Sequence, residues 1–121
     1  MDGTFFVGPA IVNAALQNNH SVTLFNRGIT NPTLFPNLDL IKGDRELGPK
    51  AYIPLMDEQW DVVNDVWPEK SKLVDEATAS LQKKAKHYIF ISSIAVYNDF
   101  QQVGLDEEHE VVSLELDKKE W

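Results

Sequence analysis

Two short stretches carry residue types that chemistry could use. MDGTFFVGP, Met1 to Pro9, sets Gly3 and Gly8 around Thr4, Phe5, Phe6 and Val7, directly ahead of the apolar run AIVNAAL. A glycine-bearing turn that opens a helix lets backbone N–H groups approach a phosphate, and the helix N-terminus favours the negative charge. SSIAVY, Ser92 to Tyr97, follows the apolar run HYIFI. Serine has no useful acidity at neutral pH, so Ser93 can polarise and place an oxygen while another group moves the proton. Acyl transfer by Ser93 would need a Gly-x-Ser-x-Gly elbow, which Ser92-Ser93-Ile94 does not supply.

Other chemistry is poorly represented. His20, His87 and His109 are far apart, with no metal-ligand spacing among them, so no metal is expected. Asp106, Glu107, Glu108 and Glu110 could attract a hard cation, but such a run is usually a solvated face. The chain has no cysteine, which removes disulfides, thiolate metal sites and a cysteine nucleophile. Its 121 residues carry a formal charge of −8, against a nucleic-acid or anionic-membrane partner held by a broad basic surface. No apolar run approaches the ~18 residues of a membrane span, and the expected location is cytoplasmic.

The elements that must position these residues alternate. A helix is expected from about Pro9, with Ile11 and Ala15, then Val12 and Leu16, sharing a face. Ser21–Phe25 reads as a short buried strand, Leu38–Asp44 as a second, Asp61–Val66 as a third and His87–Ser93 as a fourth. Thr30–Asn37 reads as loop, and Glu46–Gln59, broken by Pro49 and Pro54, as an irregular stretch with room for a short helix. Pro68–Lys84 reads as an amphipathic helix with Leu73, Val74, Ala77 and Leu81 on one side. Residues 98–121 read as an acidic, weakly structured tail of a single domain. The alternation favours α/β architecture with a parallel sheet.

In that order the pieces resemble the nucleotide-binding half of an extended short-chain dehydrogenase, the NAD-dependent epimerase/dehydratase family. GTFFVGPAIVNAAL is similar to its Gly-rich turn and first helix, HSVTLFNRG to its second strand, IKGDR to its third, WDVVNDV to its fourth, and HYIFISSIAVY to its fifth with the catalytic serine. The resemblance runs from about Asp2 to Tyr97. It implies a Rossmann-like parallel sheet flanked by helices, and an oxidoreductase, epimerase or dehydratase acting on a hydroxyl or ketone of a sugar nucleotide or related compound. Family dimers usually use helices that residues 1–121 do not complete, so the resemblance leaves a homo-oligomeric parent open. The non-catalytic alternative is a dinucleotide-sensing or RNA-binding module of dehydrogenase-like fold, the latter needing a local basic patch from Lys83, Lys84 and Lys86.

The family pattern Thr-Gly-x-x-Gly-x-x-Gly lays its glycines on Asp2, Phe5 and Gly8, and only Gly8 matches. A carboxylate at Asp2 would face the cofactor's own charge. The resemblance assigns cofactor contacts to Gly3, Thr4, Phe5, Phe6, Val7 and Gly8. Asn26 and Arg27 stand where an acidic residue would hold the ribose hydroxyls of NAD, and Arg27 could meet a 2′-phosphate, so NADP is favoured over NAD. The alternative for Arg27 is a solvated cation at the strand end. Asp44 and Arg45 resemble the pair whose aspartate contacts the adenine edge, with turn-capping the alternative for Asp44. Val66 and Trp67 end the fourth strand beside the nicotinamide ribose, where Trp67 lines the site or covers the sheet edge. Asn64, mid-strand, needs hydrogen-bond partners if buried.

Ser93 corresponds to the serine that hydrogen-bonds the reacting oxygen. The family's proton donor is the tyrosine of a Tyr-x-x-x-Lys pair, whereas Tyr52, Tyr88 and Tyr97 have Met56, Ser92 and Gln101 four residues on. Residues 1–121 are therefore expected to be inactive alone. The family's first strand is central, pairing with the second on one side and the fourth on the other. Only Met1 and Asp2 precede Gly3, too few for a strand. The expectation is a fold cut at both ends relative to the family, whose strands form two pairs, each with an unpaired inner edge.

Overall fold

The computed structural model describes residues 1–66, 70–99, 101 and 103–112. They divide into two compact units, Met1–Ile91 and Ser92–Trp121. The first is α/β: helix α1 (Gly8–Gln17), strands β1 (Thr23–Asn26) and β2 (Asp39–Lys42), a 3₁₀ segment (Arg45–Leu55), strand β3 (Trp60–Asp65), helix α2 (Ser71–Leu81) and strand β4 (Ala85–Phe90).

Helix α1 has Pro9 in its first turn, where a missing N–H costs nothing. It stops at Asn18-Asn19 because Asn19 takes the left-handed conformation, φ 60°. The His20 N–H then reaches Ala15 O at 3.0 Å and the Asn19 N–H reaches Leu16 O at 3.0 Å, which closes the last turn. Strands β1 and β2 pair in parallel with Thr23 opposite Asp39 and Asn26 opposite Lys42. Strands β3 and β4 also pair in parallel, Trp60 opposite Ala85 and Asp65 opposite Phe90, with α2 as their crossover. Among the described residues these remain separate two-stranded sheets, so each pair keeps an unpaired edge.

One face of both pairs covers the core. Phe25 from β1, Val63 from β3, Ala77 and Leu81 from α2, and Ala51, Tyr52 and Leu55 from the 3₁₀ segment form its buried cluster. The i, i+4, i+8 spacing of Leu73, Ala77 and Leu81 turns one stripe of α2 inward. The stretch read as irregular is mostly helical turns, broken at Gly48, whose φ of 76° suits glycine and separates the two halves. Gly43 lets this segment approach β1, since a Cβ there would stand 2.4 Å from the Phe25 ring. β4 spans Ala85–Phe90, two residues earlier at its start and three shorter at its end than the apolar pattern suggests. It is also largely exposed, with four of its six residues exposed and none buried.

The second unit holds a short 3₁₀ turn, Ile94–Val96, and an isolated antiparallel bridge between Tyr97 and Val111. Part of the stretch read as an acidic tail is therefore paired backbone, with the Val112 N–H on Val96 O at 2.8 Å. Residues 113–121, like Trp67 and the Pro68 helix start, lie outside the described residues. No described helix is long and apolar enough to cross a membrane.

Candidate functional site: the turn ahead of helix α1

The turn from Asp2 to Val7 joins the middle of the first unit to α1. Phe5 donates its N–H to Asp2 O and Gly8 donates to Phe5 O at 2.9 Å, folding the segment tightly. Asp2 and Phe6 both sit at positive φ, 56° and 54°. That conformation costs a non-glycine residue roughly 1–2 kcal/mol, so the surrounding packing holds the turn in place. Asp2 occupies the position where the glycine pattern puts its first glycine, and its backbone takes the shape a glycine would prefer. Gly8 is closed to any side chain, because a Cβ would lie 2.5 Å from Asp2 O and 2.8 Å from Gly3 Cα. Gly3 is equally confined, 2.8 Å from Leu24 and 2.9 Å from Val12. Gly3 thus lets the turn fit between α1 and β1, and Gly8 lets α1 press against the turn.

Thr4 is buried, and its carbonyl accepts from Asn31 Nδ2 at 2.9 Å, tying the turn to the β1–β2 loop. Phe5 and Phe6 project outward, 64% and 70% exposed. Among the described residues the N–H groups of Gly3, Thr4, Phe6 and Val7 have no backbone acceptor. No acidic side chain occupies the first turn of α1 and no side chain caps it. Such an end offers donors and positive potential to an anion.

Asp2 faces this turn with a carboxyl whose pKa is raised, chiefly by burial; the Met1 ammonium, Arg45 and Arg27 pull it down less strongly.

The end of β1 supplies a second set. The Asn26 side-chain oxygen accepts from the Gly28 N–H at 2.7 Å, while its buried Nδ2 has no partner among the described residues. Arg27 is exposed. Lys42, opposite Asn26 in the ladder, lies close enough that a Cβ on Gly28 would be 3.0 Å from Lys42 Cε. Arg27 and Lys42 thus end adjacent strands. Sequence reading singled out Arg27 and passed over Lys42, because only the register sets the two strand ends side by side.

Asp44 and Arg45 serve the fold. Asp44 caps the 3₁₀ segment by accepting from the Glu46 N–H at 3.1 Å. Arg45 turns inward, where its guanidinium grips Asp65 with two bonds of 2.7 and 2.9 Å, and also reaches Tyr52 Oη at 3.0 Å and Leu73 O at 2.9 Å. Tyr88 donates to the same carboxylate at 2.5 Å. Burial works against the Arg45 charge, but the Asp65 hydrogen bond and charge outweigh it and its pKa rises. Burial, then Asp65, pushes the Tyr88 phenol far up, and burial raises Tyr52. The signal for this cluster was Asp65 itself, a carboxylate ending a strand between Val63 and Val66, which must find a cation once buried. Val66 is buried after it. Asn64 avoids the cost of burial because it stays partly exposed, and its carbonyl accepts from the Met1 ammonium.

Ser93 belongs to the second unit. Its Oγ accepts from the Ala95 N–H at 3.2 Å and caps the Ile94–Val96 turn. In the same unit Asp106 bonds His109 Nδ1 at 2.6 Å, and that bond lowers the Asp106 pKa. The described residues contain no group of three or more His, Asp or Glu placed to hold a metal ion. Lys86, one of three lysines an RNA-binding surface would draw on, is paired with Asp61 at 2.5 Å. The chain matches no family model, no curated protein and no solved structure.

Proposed function

We infer that residues 1–121 carry the dinucleotide-binding part of an NAD(P)-dependent epimerase, dehydratase or reductase, built on a Rossmann-like sheet. Its substrate class is a sugar nucleotide or related compound with a reacting hydroxyl or ketone. The observation that carries this reading is the position of the first two residues. Asp2 donates its N–H to Phe25 O of β1 at 3.1 Å, and the Met1 ammonium donates to Asn64 O of β3. Two residues bonded to both β1 and β3 just ahead of the glycine turn are what the end of a central strand would be in such a sheet, which supports the reading.

Three features support the assignment of the turn: the left-handed backbone at Asp2, the side-chain-free approach at Gly8, and the N–H groups ahead of α1 that have no backbone acceptor among the described residues. They suit a pyrophosphate. Arg27 and Lys42 suit a 2′-phosphate, so NADP is the preferred cofactor and NAD the weaker one. A bound nicotinamide would supply the hydride chemistry. In the family that the sequence resembles, the serine matching Ser93 holds the reacting oxygen, and residues 1–121 contain no Tyr-x-x-x-Lys pair to move its proton.

Calorimetric titration of residues 1–121 with NADPH and NADH tests the reading. Binding of both is expected, NADPH more tightly, without oxidation or epimerisation of added nucleotide sugars. Absence of binding by either cofactor overturns it.

A further inference from the structure

Asn26, the last residue of β1, is 8% exposed, and its two amide atoms stand differently. Oδ1 accepts from the Gly28 N–H at 2.7 Å, which closes an Asx turn around Arg27. Nδ2 is buried and has no partner among the described residues. The Gly28 bond fixes which amide atom is which, because an N–H donor must meet the oxygen. A buried donor left unmet is costly, and few native structures keep one without a reason.

Side chains alternate along a strand, so Asn26 shares a face of β1 with Leu24. Leu24 lies 2.8 Å from where a Cβ on Gly3 would stand, so this is the face beneath the glycine turn. Asn26 is one step further toward the carboxyl end of the strand, the end at which parallel α/β sheets bind their ligands. Lys42 stands opposite it in the ladder and is exposed. Its stem rests against the Asx turn, 3.0 Å from a Cβ built on Gly28. Arg27, inside the turn, is exposed as well. Neither cation is paired with a carboxylate among the described residues.

This set is one-sided. Asn26 has a hydrogen to offer through Nδ2 while its oxygen is committed to Gly28, and Arg27 and Lys42 can only donate. A pair of ribose hydroxyls donates as well as accepts, and an acidic side chain suits it. An ionised phosphate monoester presents acceptors. We propose that Asn26 Nδ2 is the selecting donor of a subsite for a phosphate monoester on the 2′ position of an adenosine ribose, with Arg27 and Lys42 as its cations. Resting on the cofactor reading, the subsite makes one buried atom the discriminator between NADP and NAD. The phosphate reaches Nδ2 by displacing the flexible Lys42 stem, and the Lys42 ammonium then turns onto it.

The test titrates isotope-labelled residues 1–121 with adenosine 2′-monophosphate and follows the Asn26 side-chain amide by NMR. That amide is expected to move downfield and to saturate together with the Arg27 backbone signal. Adenosine 5′-monophosphate at the same concentration should leave it in place. Asn26→Asp keeps an acceptor for the Gly28 N–H and puts a carboxylate oxygen where the free donor was. It should weaken adenosine 2′-monophosphate and NADPH at least tenfold each while leaving NADH within about twofold. The titration of the unaltered chain holds whether or not the variant folds. An Asn26 amide that stays still on titration, equal movement with the 5′ isomer, or a folded Asn26→Asp chain that keeps its NADPH-to-NADH ratio overturns the proposal. A response of the Asn26 amide to adenosine 2′-monophosphate in a chain that binds neither NADPH nor NADH overturns the cofactor reading and leaves the subsite standing.

Discussion

Replacing Arg45 by methionine keeps most of the side-chain volume and removes the charge. Asp65, fully buried, then loses two charge-assisted bonds of 2.7 and 2.9 Å and retains the Tyr88 hydroxyl at 2.5 Å. Bonds to charged groups contribute about 1.5–3 kcal/mol each, which gives roughly 3–6 kcal/mol for the pair. Removing one partner of a buried ion pair independently points to about 3–5 kcal/mol. Against a domain stability of about 5–15 kcal/mol, such a loss is severe. It should move the urea midpoint sharply downward with an unchanged slope. The double substitution Arg45→Met with Asp65→Leu removes the stranded carboxylate and should recover most of the loss. A single Arg45→Met variant losing less than about 1 kcal/mol would refute the claim that this pair clamps the 3₁₀ segment, β3 and α2 together.

Gly8→Ala pushes a methyl against Asp2 O and should cost about 1–3 kcal/mol in urea unfolding while abolishing NADPH binding in calorimetry. Arg27→Ala should weaken NADPH about tenfold or more and leave NADH within twofold, as loss of one cation from a phosphate contact requires. Asp2 has a folded pKa raised by burial above the 3.8 of the free side chain. Between those values the native state binds more protons than the unfolded chain, so the Asp2 contribution to stability falls as pH rises through the folded pKa. Urea midpoints measured upward from pH 4 should therefore fall less steeply in Asp2→Asn than in the parent chain.

Local patterns in the chain were enough to place two helices and four strands, because each depends on spacing. Leu73, Ala77 and Leu81 recur at helical intervals, Pro9 opens α1 and Asn18-Asn19 closes it, and β-branched runs mark β1 and β3. Composition likewise removed cysteine chemistry and disfavoured a broad basic surface. Other features depend on residues distant in the chain. The Arg45–Asp65 clamp spans twenty positions, and nothing near Arg45 in sequence says that it turns inward. Lys42 joins Arg27 only through the β1–β2 register. Phe25 O and Asn64 O are brought to the same two residues, Met1 and Asp2, by the fold alone. Hydrophobic periodicity is a property of consecutive residues and survives in the string. Charge pairing and strand order are set by where the chain folds back on itself, and only the tertiary structure decides them.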